Sequence, residues 1–180
     1  MYSKKHFWFR LLLTFAVISQ TGARIKFTNF KCTSMAKSVA DFEYCILKSN
    51  SQTEYVSLKL KVFNFPIKSF KVYFGLYQLV NGYSPFLYNI TVDGCKFFHS
   101  QKSNPVTKYF YDLIKHVSNL NHSCPYNHDF IVHKFSSEMV NGRLPKNLPF
   151  PEGIYLFDAH WIAHNEYRAI TKLYMYISKS

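Results

Sequence analysis

A single helical segment, set in a chain whose other segments alternate like β-strands, constrains this fold most. It lies between Cys95 and Pro125. Ser103 or Asn104 can cap a helix, and Pro105 suits the first helical turn. Apolar residues then recur at helical spacing and form one stripe: Val106, Tyr109, Phe110, Leu113, Ile114, Val117 and Leu120. We predict one helix over about residues 105–118 that packs this stripe against a sheet.

Alternation of apolar and polar residues predicts the remaining elements. The clearest case is the segment 53–64, where Val56 and Leu58 share one face and Lys59 takes the other, as in a half-buried antiparallel strand. Asn81-Gly82 is typical of a hairpin turn. Seven or eight strands are predicted, from segments at residues 25–30, 42–47, 53–64, 70–80, 86–92, 130–135, 154–163 and 168–178. So many short strands favour a mainly β, antiparallel two-sheet sandwich or cup with one packed helix.

The N-terminus has the pattern of a signal peptide. Lys4, Lys5 and Arg10 form a positive region, residues 11–18 are apolar, and a small-residue segment ends at Ala23. A membrane anchor is the alternative, but a spanning helix needs about 20 apolar residues. We therefore predict a signal peptide over residues 1–23 and one secreted, extracellular domain over residues 24–180.

Cysteine count and glycosylation motifs agree with secretion. The predicted domain contains four cysteines, an even number that suits an oxidising compartment: Cys32, Cys45, Cys95 and Cys124. Three pairings are open, and we favour the sequence-local one, Cys32 with Cys45 and Cys95 with Cys124. Asn89 and Asn121 begin N-glycosylation motifs, which require exposed positions.

The net positive charge of the chain gives only a general indication of its binding partners. Removing the three cations of the signal peptide lowers the formal net charge from +12 to +9. A basic surface attracts anionic partners, and for a secreted protein we expect an anionic membrane or an acidic glycan rather than nucleic acid. A solvated surface with no such partner is the alternative, because no run of five basic residues is present.

Catalytic and metal-binding patterns are weak. His160 and His164 could share a strand face with Asp158, but they lack the glutamate of a metalloprotease motif. His122 and His128 lie in a polar loop. The sequence has neither a G-x-S-x-G elbow nor a glycine-rich phosphate loop. We expect no catalytic residues, no metal and no cofactor, and therefore no enzyme.

Aromatic residues are the strongest indication of a ligand. The chain has 18 Phe and 14 Tyr, and the strand at 70–80 is aromatic on both faces. One sandwich core needs fewer, so the pattern favours a cavity or an apolar partner surface over a core filled at native density. The candidate cavity residues are Phe70, Phe74, Phe86, Tyr155, Phe157, Trp161 and Tyr174.

Several motifs resemble a large family of small secreted insect proteins known as a domain of unknown function. They are the Asp93-Gly94-Cys95 turn, the Asn104-Pro105 helix start, the 118–126 segment Ser-Asn-Leu-Asn-His-Ser-Cys-Pro-Tyr, and Leu-Pro-Phe-Pro-Glu-Gly-Ile-Tyr at 148–155. That family is similar to CheB-type chemosensory proteins and, more distantly, to the ganglioside activator and ML-type lipid-recognition domains. The resemblance implies a β-cup that holds a lipid between its sheets.

The expected function is therefore non-catalytic binding of a lipid, fatty acid or hydrocarbon, in chemosensory or reproductive signalling. The ligand would lie between the two sheets, with the helix and the Cys95–Cys124 loop near the mouth. The alternative is an extracellular interaction module that binds a receptor, a glycan or another secreted protein. The sequence does not identify a receptor.

Overall fold

The protein was analysed as a computed structural model that describes residues 23–50, 53–144 and 150–179. All of the predicted signal peptide except its last residue lies outside these ranges. None of the described helices is long and apolar enough to cross a membrane.

In the described ranges, eight antiparallel strands form two sheets, as the alternation predicts. The strands are β1 (Ala23–Ser34), β2 (Ala40–Ser49), β3 (Glu54–Val62), β4 (Lys71–Leu79), β5 (Tyr83–Asp93), β6 (Phe130–Ser136), β7 (Gly153–Ala163) and β8 (Glu166–Lys179). The larger sheet has the order β1-β8-β7-β4-β5, and the smaller one has the order β2-β3-β6. The prediction of a mainly β, two-sheet fold is confirmed.

Strand β3 shows why the alternation is informative. Its apolar side chains are buried beneath the smaller sheet, including Val56 at 3% and Leu60 at 4% exposure. On the opposite face, Lys59 and Lys61 both contact the carboxylate of Glu43, at 2.8 and 3.1 Å. A strand with one buried and one solvated face must alternate in this way.

The β4–β5 hairpin turns at the predicted Asn81-Gly82 pair. Gly82 has a φ of 113°, a backbone conformation that glycine adopts without steric cost. The amide of Val80 donates to the carbonyl of Gly82 across the turn. The turn therefore sets the pairing of Leu79 with Tyr83.

The described residues contain three α-helices, α1 (Gly94–His99), α2 (Pro105–Ile114) and α3 (Ser137–Asn141), with a 3₁₀ turn at Gln101–Ser103. Helix α2 is the predicted one, and the Asn104 side chain caps it by accepting from the amide of Thr107 at 3.0 Å. It ends four residues before the predicted limit. The following segment bonds to β6 instead, because the carbonyl of Val117 accepts from His133 at 2.7 Å.

Helices α1 and α3 were not predicted. Asp93, expected to form a turn with Gly94, instead caps α1 by accepting from the amide of Lys96 at 3.0 Å. Asn141, the last residue of α3, bonds through its side chain to both backbone groups of Ile25, which ties this helix to β1.

Both favoured disulfides are confirmed. Cys32 in β1 bonds Cys45 in β2, and Cys95 in α1 bonds Cys124 in the loop after α2. The first crosslinks the two sheets at one edge. The second closes a loop of 29 residues around both helices.

The smaller sheet and the helices α1 and α2 cover different parts of the inner face of the larger sheet. The smaller sheet contacts it along β1 and β8. Helices α1 and α2 pack over the β4, β5 and β7 part, where Phe97 of α1 and Phe110 of α2 join the same cluster as Phe74 and Ala159. This division places the main cavity under the helices.

Candidate functional site

A cavity of about 500 Å³ lies between the inner face of the larger sheet and the helical layer. Its size falls within the range of small-molecule sites, about 300–1,000 Å³. Only Phe135 of the smaller sheet lines it. The cavity therefore lies between a sheet and helices, and not between the two sheets as the sequence analysis expected.

All five strands of the larger sheet form the floor. Inward side chains alternate along β1, β4, β7 and β8, whereas the pairing of β5 with β4 is irregular. The residues of the sheet that line the cavity are Ile25, Phe27, Val72, Phe74, Leu76, Leu87, Val92, Phe157, Ala159, Trp161, Leu173, Met175 and Ile177. Ala159 is the smallest side chain of this floor and is 6% exposed. It lies opposite Phe74 in the β4–β7 pair and lines the cavity, so a larger side chain at this position would extend into the cavity.

Helices α1 and α2 form most of the roof. Phe110 of α2 reaches the floor and contacts Phe74 and Phe157, with ring centroids 5.2 and 5.4 Å apart. Phe98 of α1 contacts Tyr111 of α2 at 5.1 Å. Because aromatic pairs at such distances stabilise packing, the roof is tied both to itself and to the floor.

The lining is unusually aromatic and has no charged side chain among the described residues. Twelve aromatic residues contribute to it: Phe27, Phe70, Phe74, Phe97, Phe98, Tyr109, Phe110, Tyr111, Phe135, Phe150, Phe157 and Trp161. Leu87 and Pro105 are lining residues that are also exposed. We place the opening of the cavity beside these two residues.

The few polar groups of the lining are uncharged. Tyr109 donates from its hydroxyl to the carbonyl of Arg143 at 3.1 Å. Burial raises the pKa of Tyr109 and of Tyr111, so both remain protonated at neutral pH. The hydroxyl oxygen of Thr107 is buried and has no hydrogen-bond partner among the described residues.

The structure brings four of the seven predicted cavity residues together, namely Phe70, Phe74, Phe157 and Trp161. Phe86 and Tyr155 lie beside the cavity, in contact with each other at 5.2 Å and with Phe150 of the lining. Tyr174 does not line it, because it lies on the outer face of β8.

Sequence reasoning missed the contribution of α1. Phe97 and Phe98 line the cavity, but the sequence predicted only a turn at Asp93-Gly94 and no helix in the residues that follow Cys95. The available signal was Asp93, an N-cap residue type four residues before the apolar pair Phe97-Phe98. Phe110 was recognised as part of the helical stripe but was not assigned to the cavity.

The histidine candidates lie elsewhere. His160 and Asp158 are 3.1 Å apart on the outer face of β7, whereas His164 lies in the β7–β8 turn with a φ of 55°. His122 and His128 share a hydrogen bond of 3.0 Å between their Nε2 atoms. No three His, Cys, Asp or Glu side chains converge as a metal site within residues 23–50, 53–144 and 150–179.

Both glycosylation motifs lie at the surface. Asn89 is exposed on the edge strand β5, where its side-chain oxygen accepts from Tyr77 at 3.4 Å. Asn121 is exposed in the loop after α2. Their accessibility meets the requirement for glycosylation, which itself stays a prediction.

The outer face of the larger sheet carries a second group of apolar and aromatic side chains. Tyr83 and Tyr174 contact each other with centroids 6.3 Å apart. Leu156 on this face is only 6% exposed, whereas Ile154 and Tyr176 are 42% and 37% exposed. This face is partly covered by its own tyrosines but still presents apolar surface.

Fold and cavity together define a disulfide-bonded β-protein with a predominantly apolar cavity. Residues 70–157 are similar to a family described as Protein of unknown function (DUF1091). This range runs from the end of the β3–β4 connection into β7, so it contains α1, α2 and the Cys95–Cys124 disulfide. No curated protein matches the chain.

Proposed function

We propose that this protein is a secreted, non-catalytic carrier that holds one apolar chain molecule beneath helices α1 and α2. The main observation that supports this proposal is the 500 Å³ cavity, whose lining has no charged side chain among the described residues. If each chain carbon takes the roughly 30 Å³ of a water-sized group, the cavity accommodates about fifteen carbons.

Burial of the chain would supply the affinity. Each methylene group that leaves water contributes about 0.8 kcal/mol, which is close to a fourfold change in the dissociation constant. Association costs about 4–15 kcal/mol in lost freedom, so short chains bind weakly. Affinity therefore depends on chain length.

Secretion and a role in chemosensory or reproductive signalling are parts of the same proposal. The two disulfides support an oxidising compartment. Similarity to CheB-type and ML-type lipid-binding proteins would give the cavity a precedent. An anionic membrane or glycan is the proposed partner for the basic surface.

The second candidate is an extracellular interaction module. The exposed side chains Ile154 and Tyr176, beside Tyr83 on the outer face, favour it. Large apolar patches on soluble proteins often mark contact sites. The outer face and the cavity are on opposite sides of one sheet, so separate substitutions can test the two candidates.

A chain-length series tests the carrier. Delipidated protein is titrated with unbranched alcohols of increasing length, and the dissociation constants are measured by displacement of a fluorescent probe. We expect about fourfold tighter binding per added carbon up to about fifteen carbons, and no further gain beyond that. Binding that is absent at every length would refute the proposal.

A further inference from the structure

We propose that the cavity selects uncharged chain ligands, such as hydrocarbons, long-chain alcohols or esters, and excludes the ionised form of a fatty acid. This inference rests on the proposed function, because it names the ligand class of the same cavity. The expectation from the sequence covered lipids, fatty acids and hydrocarbons alike. This inference distinguishes uncharged ligands from ionised fatty acids.

Among the described residues, the lining offers no counterion for a carboxylate. Its polar side chains are Thr107, Tyr109, Tyr111 and Trp161, all uncharged. A buried carboxylate without an opposite charge or several hydrogen bonds is strongly disfavoured, and it takes up a proton instead. The buried hydroxyl of Thr107 can pair with one neutral oxygen but cannot neutralise a charge.

Cations on and near helix α2 contact Asp112 outside the cavity lining. The Asp112 carboxylate accepts from Lys108 at 2.5 Å and forms an ion pair with Lys115 at 3.1 Å, and its backbone carbonyl accepts from Arg143. None of these four residues lines the cavity. Within the part of the chain that the structure describes, positive charge therefore does not extend into the site.

The test compares three ligands with the same chain of about fourteen carbons, an alcohol, a methyl ester and a carboxylic acid, on the full protein between pH 5.5 and 7.5. If only the protonated acid enters, its apparent affinity falls about tenfold per pH unit above a carboxyl pKa of about 4–5. We expect a loss of about 100-fold for the acid over this range, and no change for the alcohol and the ester.

A cation introduced at the cavity provides a matched control. Val106 lines the site on the first turn of α2 and is only partly buried, so a lysine there can extend its ammonium group toward solvent. We expect Val106→Lys to raise the affinity for the acid at pH 7.5 at least tenfold, whereas Gln101→Lys, which adds the same charge at a partly buried residue outside the lining, leaves it unchanged.

The outcomes distinguish the two proposals. Equal, pH-independent binding of the acid and the alcohol by the unmodified protein would overturn charge exclusion and leave the carrier intact. Binding of the alcohol and ester with a pH-dependent loss of the acid supports both. Failure of all three ligands to bind would refute the carrier, and this inference with it.

Discussion

Replacing Ala159 with leucine tests whether the space under the helices is open. Ala159 is buried at 6% exposure in the middle of the cavity floor. The substitution adds three carbon atoms, which gain about 2.4 kcal/mol if they enter empty apolar space. Leucine loses about 0.5–1 kcal/mol of side-chain entropy on burial. We therefore expect the free energy of unfolding of the ligand-free protein to rise by about 1.5–2 kcal/mol.

The same change should reduce ligand capacity. Three added carbons remove the space of about three ligand carbons, so affinity for a chain of about fifteen carbons should fall by about 50-fold. Urea denaturation gives the stability, and the alcohol series gives the length limit. Ala163→Leu is the matched control, because Ala163 lies on the same strand but does not line the cavity.

If the space around Ala159 is already filled, Ala159→Leu should lower the free energy of unfolding instead of raising it. Adding carbons to a close-packed core costs about 1–3 kcal/mol through strain. A destabilised Ala159→Leu variant with an unchanged length limit would therefore refute the existence of a usable cavity at this position.

Three further substitutions or titrations test the framework around the site. In Gly94→Ala, the new methyl group would collide with the Phe70 ring, so we expect a loss of about 1–3 kcal/mol of stability in urea denaturation and a changed near-UV dichroism spectrum. Replacing both Cys95 and Cys124 by serine should cost about 3.5 kcal/mol, because the disulfide closes a 29-residue loop, and a loss below 1 kcal/mol would contradict this account. Burial raises the pKa of Tyr126 to about 12, above the unfolded value of about 10, so stability should be full below pH 10 and fall between pH 10 and 12. The tyrosinate absorbance of Tyr126 is identified by its loss in the Tyr126→Phe variant. If this absorbance develops at a lower pH than unfolding, that linkage is contradicted.

Much of the sheet structure was predictable because its strands are half-buried. Along β8, Leu173 and Met175 are buried while Tyr176 on the other face is exposed, and the alternation of the sequence encodes this difference directly. The same parity places Tyr174 on the outer face. Its assignment to the cavity relied on its aromatic character alone.

The helical layer was only partly predictable. Asp93-Gly94 fits both a turn and a helix N-cap, and local sequence does not decide between them. Helix α2 ends at Ile114, although apolar residues continue at helical spacing to Leu120. The hydrogen bond from His133 to Val117 is a tertiary contact, which no local pattern reveals.

The cavity itself required the structure. Phe74 and Trp161 have the same sequence signature whether they fill a core or line a void, because burial alone sets the pattern. The void arises where the smaller sheet no longer covers the larger one and α1 and α2 take its place. Which layer covers each part of the larger sheet depends on how distant segments pack. The small side chain of Ala159 also leaves space unfilled.

Native mass spectrometry of the protein, produced with its N-terminal segment in a eukaryotic secretory host, tests the central claim most directly. We predict a discrete added mass that survives gentle ionisation and that organic extraction releases as one class of neutral chain compound. After delipidation, incubation with an alcohol of about fourteen carbons should restore a one-to-one complex. A protein that carries no added mass from the host, and gains none after this incubation, would contradict the account.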